Sequence, residues 1–250
     1  MKIKKLYIYY KKYIKGINNI ILIGNEEIEK LIKGNKNYFE IKIDFINENS
    51  LIDVNKVKSL ISNISKGAIQ RAGWYVQQFV KMEYSKICKE KFYLIFDSDT
   101  FPVKKVNMFS EDGKPYFDVN NKYDKNYFKT MKSIFPELGK IYNYSFVSEH
   151  MLIKTEIMKE LINKIDTNSN LNGSIWYEKI INSINKDYIN ITGFSEYETY
   201  GTFTNFYYNN LYKIRPWKSL RFTHQYKPKS FTFKNAKDVS QKNDAISFEH

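Results

Sequence analysis

A short apolar segment that runs directly into two aspartates is the feature of this sequence that most constrains its fold. Phe92-Tyr93-Leu94-Ile95-Phe96 has the length and composition of a buried strand, and Asp97-Ser98-Asp99-Thr100 ends it abruptly. In open α/β sheets, ligands bind beyond the carboxyl ends of the strands. Two carboxylates one residue apart at such a point can bind Mg²⁺ or Mn²⁺ together with the oxygens of a diphosphate. A turn with two solvated aspartates is the alternative.

Apolar residues along the rest of the chain alternate between the period of strands and that of helices. The patterns predict strands at residues 20–23, 39–43, 115–119 and 144–147, and helices at residues 26–33, 69–88, 124–135 and 155–165. Strands that alternate with helices favour an α/β fold built around a layered sheet. From Lys227 onward the chain is polar and weakly patterned. We therefore expect a single domain over residues 1–226 and a loosely held polar tail over residues 227–250.

The N-terminal segment fits two patterns. Leu6, Tyr9, Tyr10, Tyr13 and Ile14 recur at the spacing of one helical face, whereas residues 6, 8 and 10 also alternate as they would in a strand. We favour a helix over residues 4–15, and a strand over residues 3–10 is the alternative.

Composition limits the classes of function that are open to the chain. It carries 40 Lys and Arg against 27 Asp and Glu, a net charge of +13. Arginine occurs only at Arg71, Arg215 and Arg221. Because lysine lacks the planar fork with which arginine reads bases, we expect general attraction to anionic surfaces and no specific nucleic-acid binding.

The cellular compartment is also suggested by the sequence. The single cysteine, Cys88, excludes a disulfide scaffold and suits a reducing environment. The sequence shows neither a secretory signal pattern nor an apolar run of membrane-spanning length. We expect a cytoplasmic protein whose lysines allow peripheral contact with the inner face of an anionic membrane.

Four sequence blocks, taken in order, carry a family resemblance. They are Gly73-Trp74-Tyr75-Val76-Gln77-Gln78-Phe79, Tyr93-Leu94-Ile95-Phe96-Asp97-Ser98-Asp99-Thr100-Phe101-Pro102, Ser145-Phe146-Val147-Ser148-Glu149-His150-Met151 and Phe194-Ser195-Glu196-Tyr197-Glu198-Thr199-Tyr200-Gly201. Together they resemble a bacterial family of DxD-containing glycosyltransferases of the GT-A fold, whose members are largely uncharacterised. The resemblance covers roughly residues 15–215.

This resemblance implies a GT-A-like nucleotide-sugar-binding αβα sandwich with a mixed, mainly parallel sheet. It also implies a nucleotide-sugar donor, a Mn²⁺ or Mg²⁺ ion bound by Asp97 and Asp99, and a glycan or glycolipid acceptor, as in the synthesis of cell-surface polysaccharide or lipopolysaccharide. A metal that bridges the diphosphate stabilises the charge on the departing oxygen as a Lewis acid. Because the N-terminal helix matches the family's first helix, the strand expected before it would lie upstream of Met1.

Residues on the acceptor side are harder to choose. An inverting enzyme needs a base near the attacking hydroxyl, and a retaining enzyme need not have one. Glu149 and His150 directly follow a predicted strand, and they are candidates for a catalytic role near the acceptor hydroxyl. The alternative is that they are a loop pair whose polar groups are satisfied by hydrogen bonds within the protein. Ser195-Glu196-Tyr197-Glu198 matches a capping box, so we assign Glu198 to the helix cap and Glu196 to contact with the sugar or the acceptor.

Other candidates lie on the donor side. Trp74 and Gln77 on the helix before the aspartates could face the donor, although that helix can equally be packing. Ser98 lies between the two aspartates and would join them in the donor site. His224 would add a histidine to the metal ligands, and an exposed histidine near the tail is the alternative.

Two other classes of function compete with glycosyl transfer. A non-catalytic basic module could bind nucleic acid or acidic glycan, with Asp97 and Asp99 in a mere turn. A nuclease or phosphatase could use the same carboxylates, but two-metal chemistry generally needs more converging ligands than one DxD and three histidines supply. The sequence therefore favours a metal-dependent glycosyltransferase.

Overall fold

The computed structural model describes residues 2–34, 42–221 and 225–248, with side chains from Lys4 onward. Its α-helices are α1 (Lys2–Tyr13), α2 (Glu26–Lys33), α3 (Val54–Ile64), α4 (Ala72–Glu83), α5 (Lys125–Ile134), α6 (Thr155–Asp166), α7 (Trp176–Ser183), α8 (Glu196–Tyr207) and α9 (Phe233–Ser240). Its strands are β1 (Asn19–Gly24), β2 (Lys42–Asn47), β3 (Phe92–Phe96), β4 (Thr100–Pro102), β5 (Tyr116–Val119), β6 (His150–Lys154), β7 (Lys213–Pro216), β8 (Ser219–Leu220) and β9 (Ala245–Ser247). The α/β fold predicted from the sequence is confirmed.

Among the described residues, the strands pair in four short groups that mix parallel and antiparallel neighbours. β1 pairs with β2 and β5 with β7 in parallel, whereas β3 and β6 are antiparallel. β9 lies between β4, which runs antiparallel to it, and β8, which runs parallel. In the β3–β6 pair Phe96 lies opposite His150. The residue after β3 and the residue before β6, Asp97 and Glu149, therefore lie at the same edge.

The first β-α-β unit follows the sequence pattern closely. Asn25 caps α2 by accepting a hydrogen bond from the Ile28 N–H at 3.2 Å, and Gly34 ends the helix. β1 then pairs in parallel with β2. The predicted strand over residues 39–43 agrees with β2 at Lys42 and Ile43, and its earlier part lies outside the described residues.

The helix predicted for residues 69–88 is confirmed as a 3₁₀ turn, Lys66–Arg71, followed by α4. Its apolar stripe, which includes Tyr75 and Phe79, lies in the main core. The Phe79 ring contacts those of Trp176 and Phe194 at centroid distances of 5.4 and 5.9 Å. This packing fixes α4 against α7 and against the segment that leads into α8.

The N-terminal segment is a helix, so the strand alternative is wrong. Leu6, Tyr9 and Tyr10 on one face of α1, and Ile14 directly after its end, are buried in a second core cluster. Helical spacing places these side chains on the same side, whereas a strand would divide them between two faces. The strand expected upstream of Met1 stays a prediction.

The strand predicted at residues 144–147 is wrong. Ser145 makes one isolated bridge with Asn120, and the strand of this region is β6, which begins at His150. Glu149 has a positive φ of 60°, which turns the chain sharply before β6. The alternating aromatic residues of this segment serve ring packing instead, since Tyr144 contacts Phe146 at a centroid distance of 5.3 Å.

The looseness predicted for residues 227–250 also needs correction. Thr232 and Asn235 form a capping box at the start of α9, and β9 joins β4 and β8. Phe231 and Ile246 are fully buried in the same cluster as α1. A few well-spaced apolar residues are therefore enough to pack this segment, which is polar on average, against the cluster that contains α1. The domain boundaries themselves stay a prediction.

We expect Gly201→Ala in α8 to lower the free energy of unfolding by about 1–3 kcal/mol, the usual cost of overpacking a core. A Cβ at this position would overlap the buried Phe146 ring. The gain in helix propensity, about 1 kcal/mol at most, offsets only part of this cost. Denaturant unfolding measures the change. Gly73→Ala in α4 is the matched control, because a Cβ there meets no atom within 4 Å. Equal effects of the two substitutions would contradict the packing argument.

Candidate active site

Asp97 lies at the end of β3, where four groups hold it in place. Its Oδ1 accepts hydrogen bonds from Lys81 Nζ at 2.5 Å and from the Tyr197 hydroxyl at 3.0 Å. Its backbone N–H donates to the Glu149 carbonyl at 2.9 Å, and its own carbonyl accepts from the Tyr10 hydroxyl at 3.3 Å. The side chain is still 26% exposed. Asp97 is therefore fixed in position and remains open to solvent.

The residues after Asp97 are held by β9. The Asp99 carbonyl accepts from the Phe248 N–H at 3.0 Å, and the Thr100 hydroxyl lies 2.8 Å from that of Ser247. Ser98 is exposed between the two aspartates. The DxD turn thus has a rigid backbone and carboxylates that a ligand can reach.

Lys81 of α4 links two acidic residues of the site. Its ammonium group donates to Asp97 and to Glu196 Oε1, the latter at 2.7 Å, and lies 4.6 Å from the centroid of the Tyr197 ring. Burial lowers the pKa of Lys81, but the two carboxylates raise it by more, so the net shift is upward. Sequence reasoning missed this residue. The available signal was its spacing, since Lys81 lies seven residues after Trp74 on the same helical face.

Glu196 opens α8 and is buried beside Lys81. Its backbone N–H donates to Gln78 Oε1 at 3.0 Å. Burial raises the pKa of the Glu196 carboxyl group, and the opposing effect of Lys81 does not cancel this shift. The assignment of Glu196 to the site stays a prediction, and the structure places it in one cluster with Asp97.

Glu149 is the most unusual acidic residue of the site. It is 4% exposed, it has a positive φ, and its Oε2 has no hydrogen-bond partner. Its other oxygen lies 3.2 Å from Arg221 Nη1. Burial raises the pKa of Glu149, and the nearby charge of Asp97 adds to the shift. Backbone strain together with an unsatisfied buried carboxylate is typical of functional sites.

His150 is buried, and it is held by Asp118 and indirectly by Arg215, two residues that sequence reasoning missed. Its Nε2 lies 2.7 Å from Asp118 Oδ2, and its Nδ1 lies 2.8 Å from the Ser148 carbonyl oxygen. Arg215 binds the same Asp118 carboxylate through Nε at 2.5 Å and Nη2 at 2.8 Å. Although burial raises the pKa of Asp118, the hydrogen bonds from Arg215 and His150 lower it overall. Both imidazole nitrogens are engaged by protein groups that fix the start of β6, and the catalytic role predicted for His150 stays a prediction.

The donor-side candidates differ in their placement. Trp74 is half-buried, and its ring packs on Tyr75 and under the Arg71 guanidinium. Gln77 is exposed on α4, whereas its neighbour Gln78 is the glutamine that contacts Glu196. His224 lies outside the described residues.

Asp97 and Asp99 would supply two oxygen ligands to a divalent cation, and water and substrate phosphates would supply the others. The described part of the chain contains no group of three or more His, Cys, Asp or Glu side chains that could hold a metal. Asp97 Oδ1 already accepts two hydrogen bonds, so Asp97 would bind a cation through Oδ2, beside Asp99. Mg²⁺ and Mn²⁺ accept such sets, because one or two carboxylates, water and substrate phosphates complete their coordination.

Glu198 does not close the capping box as predicted. Ser195 caps α8 by accepting from the Glu198 N–H at 3.2 Å, but the Glu198 carboxylate turns the other way and accepts from the Ser145 hydroxyl at 2.5 Å. It therefore braces the segment before Glu149. The Glu198 carboxylate bonds to Ser145 because both residues are buried. Glu198 is 1% exposed, and Ser145 is fully buried.

Comparisons with known proteins give the family but not the activity. Residues 4–245 match a family of unknown function (DUF6492), and the chain belongs to this family. No curated protein matches the sequence. The structure is similar to the apo crystal structure of mouse xyloside xylosyltransferase 1, with 11% identity and a TM-score of 0.45 over 99% of this chain and 91% of that chain. A likeness at this level does not show what this chain binds.

We expect Glu198→Gln to change how stability depends on pH. Burial raises the pKa of Glu198 from 4.5 to about 7. The folded state thus binds the proton more tightly than the unfolded chain, so this contribution is complete below about pH 4.5 and is lost as the pH rises through about 7. The difference in unfolding free energy between wild type and variant should change by about 3 kcal/mol across that range.

Denaturant unfolding at a series of pH values measures this change. Glu156→Gln is the matched control, because the Glu156 side chain is 76% exposed. The same pH dependence in the wild type and in Glu198→Gln would show that folding does not raise the pKa of Glu198.

Proposed function

We propose that this member of the family is a glycosyltransferase that moves a sugar from a nucleotide-diphosphate donor to a hydroxyl group of a glycan or glycolipid. One observation carries the proposal. The end of β3, the start of β6 and the start of α8 bring Asp97, Glu149 and Glu196 together, and one buried carboxylate oxygen of this cluster has no hydrogen-bond partner. The proposal includes a cytoplasmic location and a role in making cell-surface polysaccharide or lipopolysaccharide.

The donor side of the reaction is assigned to the turn after β3. Asp97 and Asp99 would hold a Mn²⁺ or Mg²⁺ ion that neutralises charge on the departing diphosphate. Lys81 keeps Asp97 in one orientation, and β9 fixes the backbone at Asp99. A rigid turn loses little conformational freedom when the donor binds, which favours tight and well-oriented binding.

The acceptor side is assigned to Glu149. A carboxylate that is partly desolvated is a stronger base than one in water, and burial raises the pKa of this group. The Glu149 carboxylate would accept the proton of the attacking hydroxyl as the oxygen forms its bond to the anomeric carbon. Arg221 at 3.2 Å would hold one oxygen and leave Oε2 for that proton.

Glu196, Lys81 and His150 are assigned supporting roles. The ammonium group of Lys81 lies between Asp97 and Glu196 and screens their mutual repulsion. Glu196 would contact the sugar or the acceptor through its second oxygen, as the sequence suggests. His150 and its hydrogen bond to Asp118 fix the backbone that follows Glu149.

We expect uridine diphosphate with Mn²⁺ to raise the melting temperature of the protein, and an oligonucleotide alone to leave it unchanged. Asp97→Asn and Asp99→Asn should each abolish this shift and reduce nucleotide-sugar hydrolysis at least about a hundredfold, the scale of losing charge stabilisation in the transition state. Asp187→Asn, at an exposed position, is the matched control. A normal thermal shift and near-normal turnover in either variant would show that the substituted aspartate does not bind the metal and the diphosphate.

Glu149→Gln should lower the transfer rate by at least about a hundredfold, because an amide cannot accept the proton of the acceptor hydroxyl. The diphosphate-dependent thermal shift should persist, since the donor is bound by other residues. Glu156→Gln makes the same chemical change at an exposed site and should leave the rate unaltered. If Glu149→Gln retained normal turnover, the base would have to be sought elsewhere or the enzyme would be a retaining one.

A further inference from the structure

A pocket rich in lysine lies at the C-terminal end of α1. It has a volume of about 400 Å³, and Lys11, Lys12, Lys15 and Lys105 line it together with Ile14, Gly16 and Ile17. We call this site the lysine pocket. The backbone on either side is tied by a hydrogen bond from the Val106 N–H to the Tyr13 carbonyl at 2.7 Å. Its positive charges therefore come from two separate segments that the fold holds together.

The charge of the lysine pocket is not balanced within its own walls. No Asp or Glu occurs among the residues that line it. The Lys12 ammonium group lies 3.7 Å from the centroid of the Phe233 ring and 5.3 Å from that of Tyr13, so it packs against aromatic rings. The ammonium groups of Lys12, Lys15 and Lys105 around one pocket repel each other, and an anion in that pocket would relieve the repulsion.

Exposed apolar side chains accompany these lysines. Ile8 is 48% exposed and lies on the same face of α1 as Lys11 and Lys12, at spacings of three and four residues, and Lys15 follows just after the helix ends. Phe233, which is in contact with Lys12, is 41% exposed. Lysines interspersed with exposed apolar residues on one helix face are typical of a surface that binds the headgroup region of a membrane.

We propose that the lysine pocket binds the phosphate groups of anionic lipids and that α1 attaches the protein to a membrane surface, with Ile8 and Phe233 reaching the headgroup layer. No helix in the described ranges is long and apolar enough to cross a membrane. The opposite face of α1 carries Tyr10, whose hydroxyl donates to the Asp97 and Thr100 carbonyls at 3.3 and 3.4 Å. One helix would thus connect the membrane to the DxD turn, although the inference does not depend on the proposed activity.

A second cavity provides a matched comparison. It measures about 280 Å³, and its lining includes Lys86, Lys159 and Asp166. Here the lysines are already paired, Lys86 with Glu83 at 3.0 Å and Lys159 with Glu156 at 2.9 Å. Lys15→Gln with Lys105→Gln and Lys86→Gln with Lys159→Gln remove the same total charge from the two cavities.

The test is sedimentation of the full chain with vesicles of phosphatidylglycerol and phosphatidylcholine or of phosphatidylcholine alone. We expect binding to the anionic vesicles only, and a decrease in binding with added salt. Each lysine near an anionic surface is worth about fivefold in affinity, so Lys15→Gln with Lys105→Gln should bind about 25-fold more weakly. The control pair should bind within about twofold of wild type, and Lys15→Arg with Lys105→Arg should bind normally, because arginine retains the charge.

Several outcomes would overturn the proposal. Equal losses in the two glutamine pairs would mean that only net charge matters. Equal binding to neutral vesicles would exclude recognition of phosphate charge. If inorganic phosphate competed with the vesicles more strongly than chloride at the same ionic strength, or if an oligonucleotide bound the pocket in preference to vesicles, the lysines would serve a soluble anion instead. Competition by phosphate no stronger than that of chloride supports the membrane surface.

Discussion

The candidate site depends on the contacts that the Lys81 ammonium group makes with Asp97 and Glu196. Asp97, Glu149 and Glu196 influence one another electrostatically, and each of the two glutamates has a pKa raised first by burial and further by the charge of Asp97. Without a cation, such a cluster would either bind protons or spread apart. Lys81 reaches it from α4, a helix fixed in the main core by Tyr75 and Phe79. The acidic site is thus tied directly to the best-packed part of the molecule.

The sequence predicts the parts of this site that depend on local patterns. A buried strand that ends in two aspartates is visible without a structure, because strand length and turn residues are local properties. The grouping of Glu196 with that turn came from family resemblance. Lys81 and the ion pair of the buried Asp118 with Arg215 could not be found from local patterns. Their roles arise from tertiary contacts, such as those from Lys81 to Glu196 and from Arg215 to Asp118, which join residues 115 and 97 positions apart. The helical spacing of Lys81 after Trp74 shows which face it lies on but not what it contacts.

The errors have a common physical origin. The alternation at residues 144–147 has the period of a strand, but the positive φ of Glu149 and the packing of Phe146 against Gly201 give the segment another conformation. Glu198 fits a capping box, yet its carboxylate bonds to Ser145 because the two are buried together. The polar C-terminal region looked loose on average, although Phe231 and Ile246 anchor it. In each case a tertiary contact outweighed a correct local pattern.

The pairing of β4 with β9 determines when the DxD turn can take its final shape during synthesis. The hydroxyl group of Thr100 meets that of Ser247, which is 147 residues later in the chain, and Asp99 receives its backbone hydrogen bond from Phe248. At ordinary rates of translation, a chain needs roughly 10 seconds or more to extend over that distance. Until then the two aspartates belong to an unfinished turn, and a nascent chain on the ribosome has no complete site with which to bind a nucleotide or a metal.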